Sequence, residues 1–297
     1  MTFGPPRELI EHSIKVGSDL NLVQASGGNT SWKSADTIWV KGSGKRLKDA
    51  DSQEIFAQIE YDKLSLSQIV SCPDFTPYKI SATTPSIEAN FHILIKKNFV
   101  THLHSLAAIA IGALNLSSKD FSDFYKEHNI SALQYSRPGV ELANNISLVE
   151  GFEERILLLE NHGVIFSDNE IEKLELKIKT FEQDVTHFIS MIPSQDYFPG
   201  WIEILTEGVL TPDEAVFLGI TPFVKSDESV ENSISIKQDE TLNFPRGTSQ
   251  DRIDLAHFYV RVAKLIEHKA EIRYLAKEEV ASLLNWDKEK LRIAMSK

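Results

Sequence analysis

The chain has 297 residues, enough for one large domain or for one domain with a smaller companion. Its formal net charge is −12, without the Lys and Arg excess by which nucleic-acid binders displace counterions, so no partner of that class is expected. Its single cysteine, Cys72, admits no internal disulfide and points to a reducing cytoplasm; the start MTFGPPRELIEHSIKVG lacks a signal-peptide pattern; and the longest apolar stretch, Leu106 to Leu114, is far below the roughly 20 residues a bilayer requires, so no membrane partner is expected either.

Residues 7–23 read as an opening amphipathic helix, with Leu9, Ile10, Ile14, Val16, Leu20 and Leu22 near helical spacing. The turn cluster Ser26-Gly27-Gly28-Asn29-Thr30-Ser31 follows, then a short β-rich run, Thr37 to Lys41, closed by Gly42-Ser43-Gly44. Thr84-Pro85-Ser86 opens an expected helix over 86–97, with Glu88 in its first turn. Phe99 to Leu103 reads as a strand and Ala107 to Leu114 as the next helix. Ile156 to Leu159 is a buried strand by its unbroken apolar run, and 168–191 a long helix with Asp168 at its N-cap.

This alternation indicates a layered α/β domain over residues 1–192, broken at Ile192-Pro193-Ser194-Gln195-Asp196. Residues 223–249 are polar and loop-like, and helical periodicity returns over 250–275, so residues 200–297 are expected to form a small accessory region.

Four patterns carry chemistry. In Thr101-His102-Leu103-His104-Ser105, positions i and i+2 of a strand share a face, so His102 and His104 can present two imidazoles together, and imidazole is a common transition-metal ligand. In Glu160-Asn161-His162-Gly163, a strand runs into a histidine followed by a glycine, which permits a sharp turn at the strand end. Glu88 offers a carboxylate as metal ligand or proton-transfer group. The turns Gly28-Asn29-Thr30-Ser31 and Lys41-Gly42-Ser43-Gly44 expose backbone N–H groups suited to anions, although neither matches a nucleotide P-loop or dinucleotide fingerprint. Each pattern alone also fits a packed histidine, a dipole-stabilised glutamate or a plain turn. His12, His128, His187, His257 and His268 read as structural or exposed, and His92, four residues after Glu88, as either an orienting or a core residue.

The order of these motifs, glycine-asparagine turn, serine-glycine turn, Pro85-Ser86-Ile87-Glu88, H-x-H and N-H-G, resembles the class II aldolase and adducin-head family over residues 7–190. The segments at Gly27–Ser31, Val40–Gly44, Pro138–Ala143 and Leu210–Asp213 look closest to the aldolase-like half of the bifunctional rhamnulose-phosphate aldolase/short-chain dehydrogenase proteins, while no G-x-x-x-G-x-G nucleotide turn occurs. The resemblance implies an α/β/α layered fold around a central, mainly antiparallel sheet, with a small, mostly helical C-terminal extension. It implies His102, His104 and His162 as ligands of zinc or another divalent transition metal, and Glu88 as the acid/base residue with a pKa near the operating pH. Gly28, Asn29, Ser43, Gly44 and Ser86 would line a phosphate site. Ile87 stands where the fuculose-phosphate aldolases carry a second serine, which removes one phosphate hydroxyl.

The expected function is a metal-dependent lyase cleaving a ketose or ketose 1-phosphate by enediolate chemistry, with a small sugar or sugar phosphate as partner and a homotetramer as assembly. The alternatives within the family are a pentulose-phosphate epimerase or dehydratase, or an adducin-like binding module without catalysis.

Overall fold

A computed structural model describes residues 4–116 and 119–287; residues 1–3, 117–118 and 288–297 of the two expected regions lie outside the described residues. The chain opens with helix α1 (Arg7–Gly17), shorter than the pattern over 7–23 suggests. After Gly17 the backbone turns through Asp19, whose carbonyl accepts from Leu22 and Val23, while Leu20 is exposed.

Seven strands build the main sheet: β1 (Asn29–Lys33), β2 (Thr37–Lys41), β3 (Phe56–Glu60), β4 (Phe99–Leu103), β5 (Ile130–Leu133), β6 (Ile156–Leu159) and β7 (Gly163–Asp168). Their order is β3-β2-β1-β4-β7-β6-β5, antiparallel throughout except where β5 runs parallel to β6. Between them lie α2 (Leu66–Ser71), α3 (Ala89–Leu94), α4 (Leu106–Ala113), α5 (Lys119–Glu127) and α6 (Val140–Ser147), and α7 (Ile171–Met191) follows the last strand.

The sheet is covered on both faces, which is why its central strands carry apolar residues at successive positions rather than alternating with polar ones. Phe99 and Leu103 of β4, Leu158 of β6, and Val164 and Phe166 of β7 join one core with α1, α4 and α7. Val100, Leu157, Leu159 and Ile165 join the other with Phe91 and Ile93 of α3 and Leu142 and Ile146 of α6. The result is an α/β/α sandwich around a central, mainly antiparallel sheet, as the family resemblance implies.

Two later helices also differ from the sequence reading. The helix expected over 86–97 spans only Ala89–Leu94, because Pro85 pairs with Gly42 in an isolated β-bridge; Glu88 is therefore the N-cap residue, not a member of the first turn. Asp168 ends β7 opposite Phe99, and its carboxylate accepts from the Asn169 and Glu170 backbone N–H groups, so α7 begins later, at Ile171.

The segment read as loop over 223–249 holds a small sheet in the order β10-β9-β8, made of β8 (Phe223–Lys225), β9 (Ile234–Ile236) and β10 (Leu242–Asn243). These strands are three residues or fewer, too short for a periodic pattern to register.

The rest of the C-terminal region is helical, with α8 (Trp201–Glu207), α9 (Pro212–Leu218), α10 (Gln250–Ile266) and α11 (Lys277–Asn285). Its apolar residues, among them Leu205, Phe223, Phe258 and Val262, belong to the same buried cluster as Leu103, Ile109 and Phe181, so one core runs from the sheet into this region. No helix among the described residues is long and apolar enough to cross a membrane.

Candidate metal centre

β4 is a central strand, and its register places His102 opposite Asn29 of β1 and Ile165 of β7. His104 follows one residue after the strand ends, just before Ser105, whose hydroxyl caps α4 by accepting from Ala108 N–H. His162 sits in the turn joining β6 to β7, after Asn161 at φ 54°. Glu88 reaches the same spot from the N-cap of α3. All four side chains are buried.

The three imidazoles present donor atoms within 4.8 Å of one another, and the Nε2 atoms of His102 and His104 are 3.0 Å apart. For His102 and His104 the tautomer follows from what each ring does with its other nitrogen. The Nδ1–H of His102 donates to the Val164 carbonyl at 3.0 Å, and the Nδ1–H of His104 donates to the Asp213 carboxylate at 2.8 Å. A neutral ring with its proton on Nδ1 carries a lone pair on Nε2. Two lone pairs thus face each other at hydrogen-bond distance, an arrangement that a cation between them relieves.

Glu88 completes the cluster. Its Oε2 accepts from the Asn29 amide at 2.8 Å, and its Oε1 lies 3.5 Å from His162 Nε2 and 3.8 Å from His102 Nε2. Oε1 is buried without a hydrogen-bond partner among the described residues. An orphaned carboxylate oxygen beside three convergent imidazoles is the donor set that zinc or a similar divalent metal takes, so the residues present fit such an ion.

Burial pushes the His102 imidazole down to about 4 and His162 to about 3, because a charged ring is poorly solvated there. Both are neutral, and able to coordinate, near pH 7. Burial works against charge on Glu88 as well. On acidification the imidazoles take protons, and their charges, with the Asn29 bond, hold the Glu88 carboxyl at about 2. That is below the near-neutral value expected of a proton-transfer group.

The two glycine turns lie alongside. Gly27, Gly28, Ser43, Gly44, Ser86, Glu88, His104 and His162 line one small cleft, with Lys41, Pro138, Pro212 and Asp213. Gly28 and Gly44 have φ of 57° and 68°, the left-handed conformation a nest of N–H groups uses. Asn29 stands apart from this wall: its side chain bridges Glu88 and His92, and His92 in turn meets the Ser31 hydroxyl at 2.7 Å. His92 is linked to Glu88 by hydrogen bonds through Asn29. His12 is structural, held between Thr101 and Glu175.

Two residues at this cleft, Lys41 and Asp213, fall inside the resembling segments but draw no role from the motifs themselves. Lys41 is buried, and its ammonium donates to the Ser26 and Lys45 carbonyls, which sets a positive charge beside the glycine turns. The available signal was a lysine ending an otherwise apolar strand. Asp213 comes from α9, over a hundred residues after His104, and no local spacing connects them. Larger clefts exist elsewhere, such as one of about 420 Å³ between α5 and α7. Its charged walls are already paired, His128 with Asp184 and Lys177 with Asp168.

A family model described as the class II aldolase and adducin N-terminal domain matches residues 7–184. The chain belongs to this family. Among similar proteins, an L-fuculose phosphate aldolase of Methanococcus maripaludis is 27% identical over 176 residues, covering 56% of this chain and 85% of that protein. An uncharacterized oxidoreductase of Bacillus subtilis, YuxG, is 24% identical over 254 residues, or 78% of this chain, and the chain spans only 36% of that protein's length. In fold, the chain is similar to the N-terminal class II aldolase domain of a conserved protein from Thermoplasma acidophilum, with a TM-score of 0.50 at 24% identity over 64% of this chain and 96% of that one. Within this chain, the family-matched segment holds all four clustered side chains, while Asp213 lies beyond it.

Proposed function

We propose that this class II aldolase-family protein is a zinc-dependent lyase that cleaves a ketose or ketose 1-phosphate into an aldehyde and a dihydroxyacetone fragment. The observation that carries the proposal is the convergence of His102, His104, His162 and the orphaned Glu88 Oε1 beside turns suited to an anion.

A bound divalent cation supplies a Lewis acid that polarises the ketose carbonyl and stabilises the charge left when the C3–C4 bond breaks. His102, His104 and His162 would hold it, the first two through the Nε2 lone pairs that face each other. Asn29 grips Glu88 Oε2 and so fixes the carboxylate with Oε1 toward the imidazoles. Being ionised at neutral pH, Glu88 enters as a proton acceptor at Oε1. The backbone N–H groups of Gly28 and Gly44 and the hydroxyls of Ser43 and Ser86 orient the anionic end of the substrate, and the buried Lys41 ammonium offsets its charge.

The test begins with metal content after purification without chelator: close to one equivalent of transition metal is expected, or full reconstitution by zinc. His162→Ala should abolish stoichiometric zinc binding while preserving the far-UV circular dichroism. Glu88→Gln should keep the metal and slow proton exchange on dihydroxyacetone phosphate by about 10²- to 10⁴-fold. A panel of free and phosphorylated ketoses, followed for aldehyde release and for epimerisation, then identifies the reaction. Metal-free protein that zinc cannot reconstitute, or Glu88→Gln with wild-type exchange, overturns the proposal.

A further inference from the structure

Beyond the family-matched segment, residues 210–213 run directly against the candidate metal-binding cluster. Asp213 is 5% exposed, and its Oδ2 accepts the Nδ1–H of His104 at 2.8 Å. The hold is reinforced from the other side. Asn161, the residue before His162, donates its amide to the Leu210 carbonyl at 2.8 Å and to the Arg273 carbonyl at 2.7 Å. One short segment is therefore tied to two of the three candidate ligands, to one through a carboxylate and to the other through the turn that carries it.

The segment is itself built to hold that position. The Thr211 hydroxyl accepts from the Glu214 N–H as the N-cap of α9 and meets the Tyr259 hydroxyl, and Glu214 Oε2 accepts from the Leu210 N–H at 2.7 Å. A Cβ added at Gly27 would lie 2.8 Å from Asp213 Oδ2 and 2.9 Å from His104 Nδ1, so the backbone of the first glycine turn packs onto this bond.

We propose that Asp213 is a positioning residue for the metal centre: its carboxylate fixes the tautomer and ring orientation of His104, so the C-terminal region completes a site whose ligands all lie in the aldolase segment. A carboxylate on the far nitrogen keeps the proton on Nδ1, directs the Nε2 lone pair at the ion and raises the basicity of the ligand. Nothing in the H-x-H pattern supplies this for His104. His102 has the Val164 carbonyl of its neighbouring strand, but His104 lies beyond the end of β4 and its Nδ1 partner comes from α9. The inference rests on the zinc reading above.

The experiment uses the full-length wild type, Asp213→Asn, Asp213→Ala and Thr211→Val. Zinc affinity is measured by competition with a chromophoric chelator, and the His104 tautomer in metal-free protein by long-range ¹H–¹⁵N correlation of the imidazole nitrogens. The wild type should bind one zinc and show the proton on His104 Nδ1. Both Asp213 variants should bind zinc about 10- to 100-fold more weakly, with the Nδ1–H signature of His104 lost in Asp213→Ala. Thr211→Val, which loosens α9 but keeps the carboxylate, should stay close to the wild type in both readouts.

Asp213 variants that match a zinc-binding wild type overturn the inference and leave the metal reading standing. So does a wild-type His104 protonated on Nε2, or a Thr211→Val loss as large as that of Asp213→Ala. A wild type that takes up no zinc overturns the metal reading and this inference together.

Discussion

His102 and His162 differ from solvent-exposed histidines in one property that matters for metal capture: neither needs to lose a proton near pH 7. Burial has already moved them to about 4 and about 3. An exposed imidazole, with a pKa near 6.5, begins to lose zinc to competing protons just below neutrality. Here the sign is the same but the window is displaced. The share of zinc affinity that these two rings contribute should stay flat from pH 7 to about 5, then fall as the pH drops through these values, approaching about 100-fold per pH unit where both rings must release a proton on binding. A ¹H–¹⁵N titration of the His102 and His162 rings in metal-free protein checks this, and a ring that takes up its proton from pH 6.5 would contradict the buried, neutral state. At this scale the spacing of His102 and His104 was readable, because strand geometry alone puts them on one face. The partner of Glu88 was not. Asn29 looked like an anion-turn residue, and only the pairing of β1 with β4 sets its amide against the carboxylate.

The β6–β7 turn shows how an element sets a ligand. Gly163 is the first residue of β7 and pairs with Leu159. A Cβ there would lie 2.3 Å from the Leu103 carbonyl oxygen and 3.2 Å from His102 Cε1. The first contact is with backbone, which cannot swing aside. Gly163→Ala should therefore force β7 away from β4, costing roughly 1–3 kcal/mol as an overpacked site, and should weaken zinc binding by displacing His102 and His162 together. Urea unfolding with a parallel zinc titration measures both effects; an unchanged midpoint would mean that the strands absorb the methyl. The glycine after His162 was visible in the sequence as a turn signal, yet the reason for it is tertiary: a neighbouring strand passes too close for any side chain. The same distinction explains Glu88. Pro85 suggested a helix start, but its bridge to Gly42 delays α3 and leaves Glu88 at the cap, facing the imidazoles.

Across the whole molecule, one apolar core joins the sheet to α8 and α10, and residues 210–213 touch the histidine cluster directly. Regions that share a core lose their packing together. Calorimetry should accordingly show one unfolding transition, with fluorescence from Trp32 and Trp39 on the sheet and from Trp201 and Trp286 in the C-terminal region changing at the same temperature. Zinc should raise that single transition, since an ion that binds only the folded state stabilises all of it, by about 2.7 kcal/mol at a hundredfold excess over Kd. Two separated transitions, or a zinc shift confined to one of them, would show that the C-terminal region folds independently.

What the sequence determined by itself was everything that depends on local periodicity and order. The strand carrying His102, the turn carrying His162, the glycine-rich turns and the α/β alternation follow from residue types at fixed short spacings, which strand and helix geometry convert directly into shared faces. Only the tertiary structure decided what depends on contacts between distant segments. It set the three imidazoles within 4.8 Å of one another, left Glu88 Oε1 without a partner, gave Asn29 to Glu88, and brought Asp213 to His104. The physical reason is that burial and long-range hydrogen bonds have no signature in spacing: His104 and Asp213 are 109 residues apart, and a shared core is what makes them neighbours.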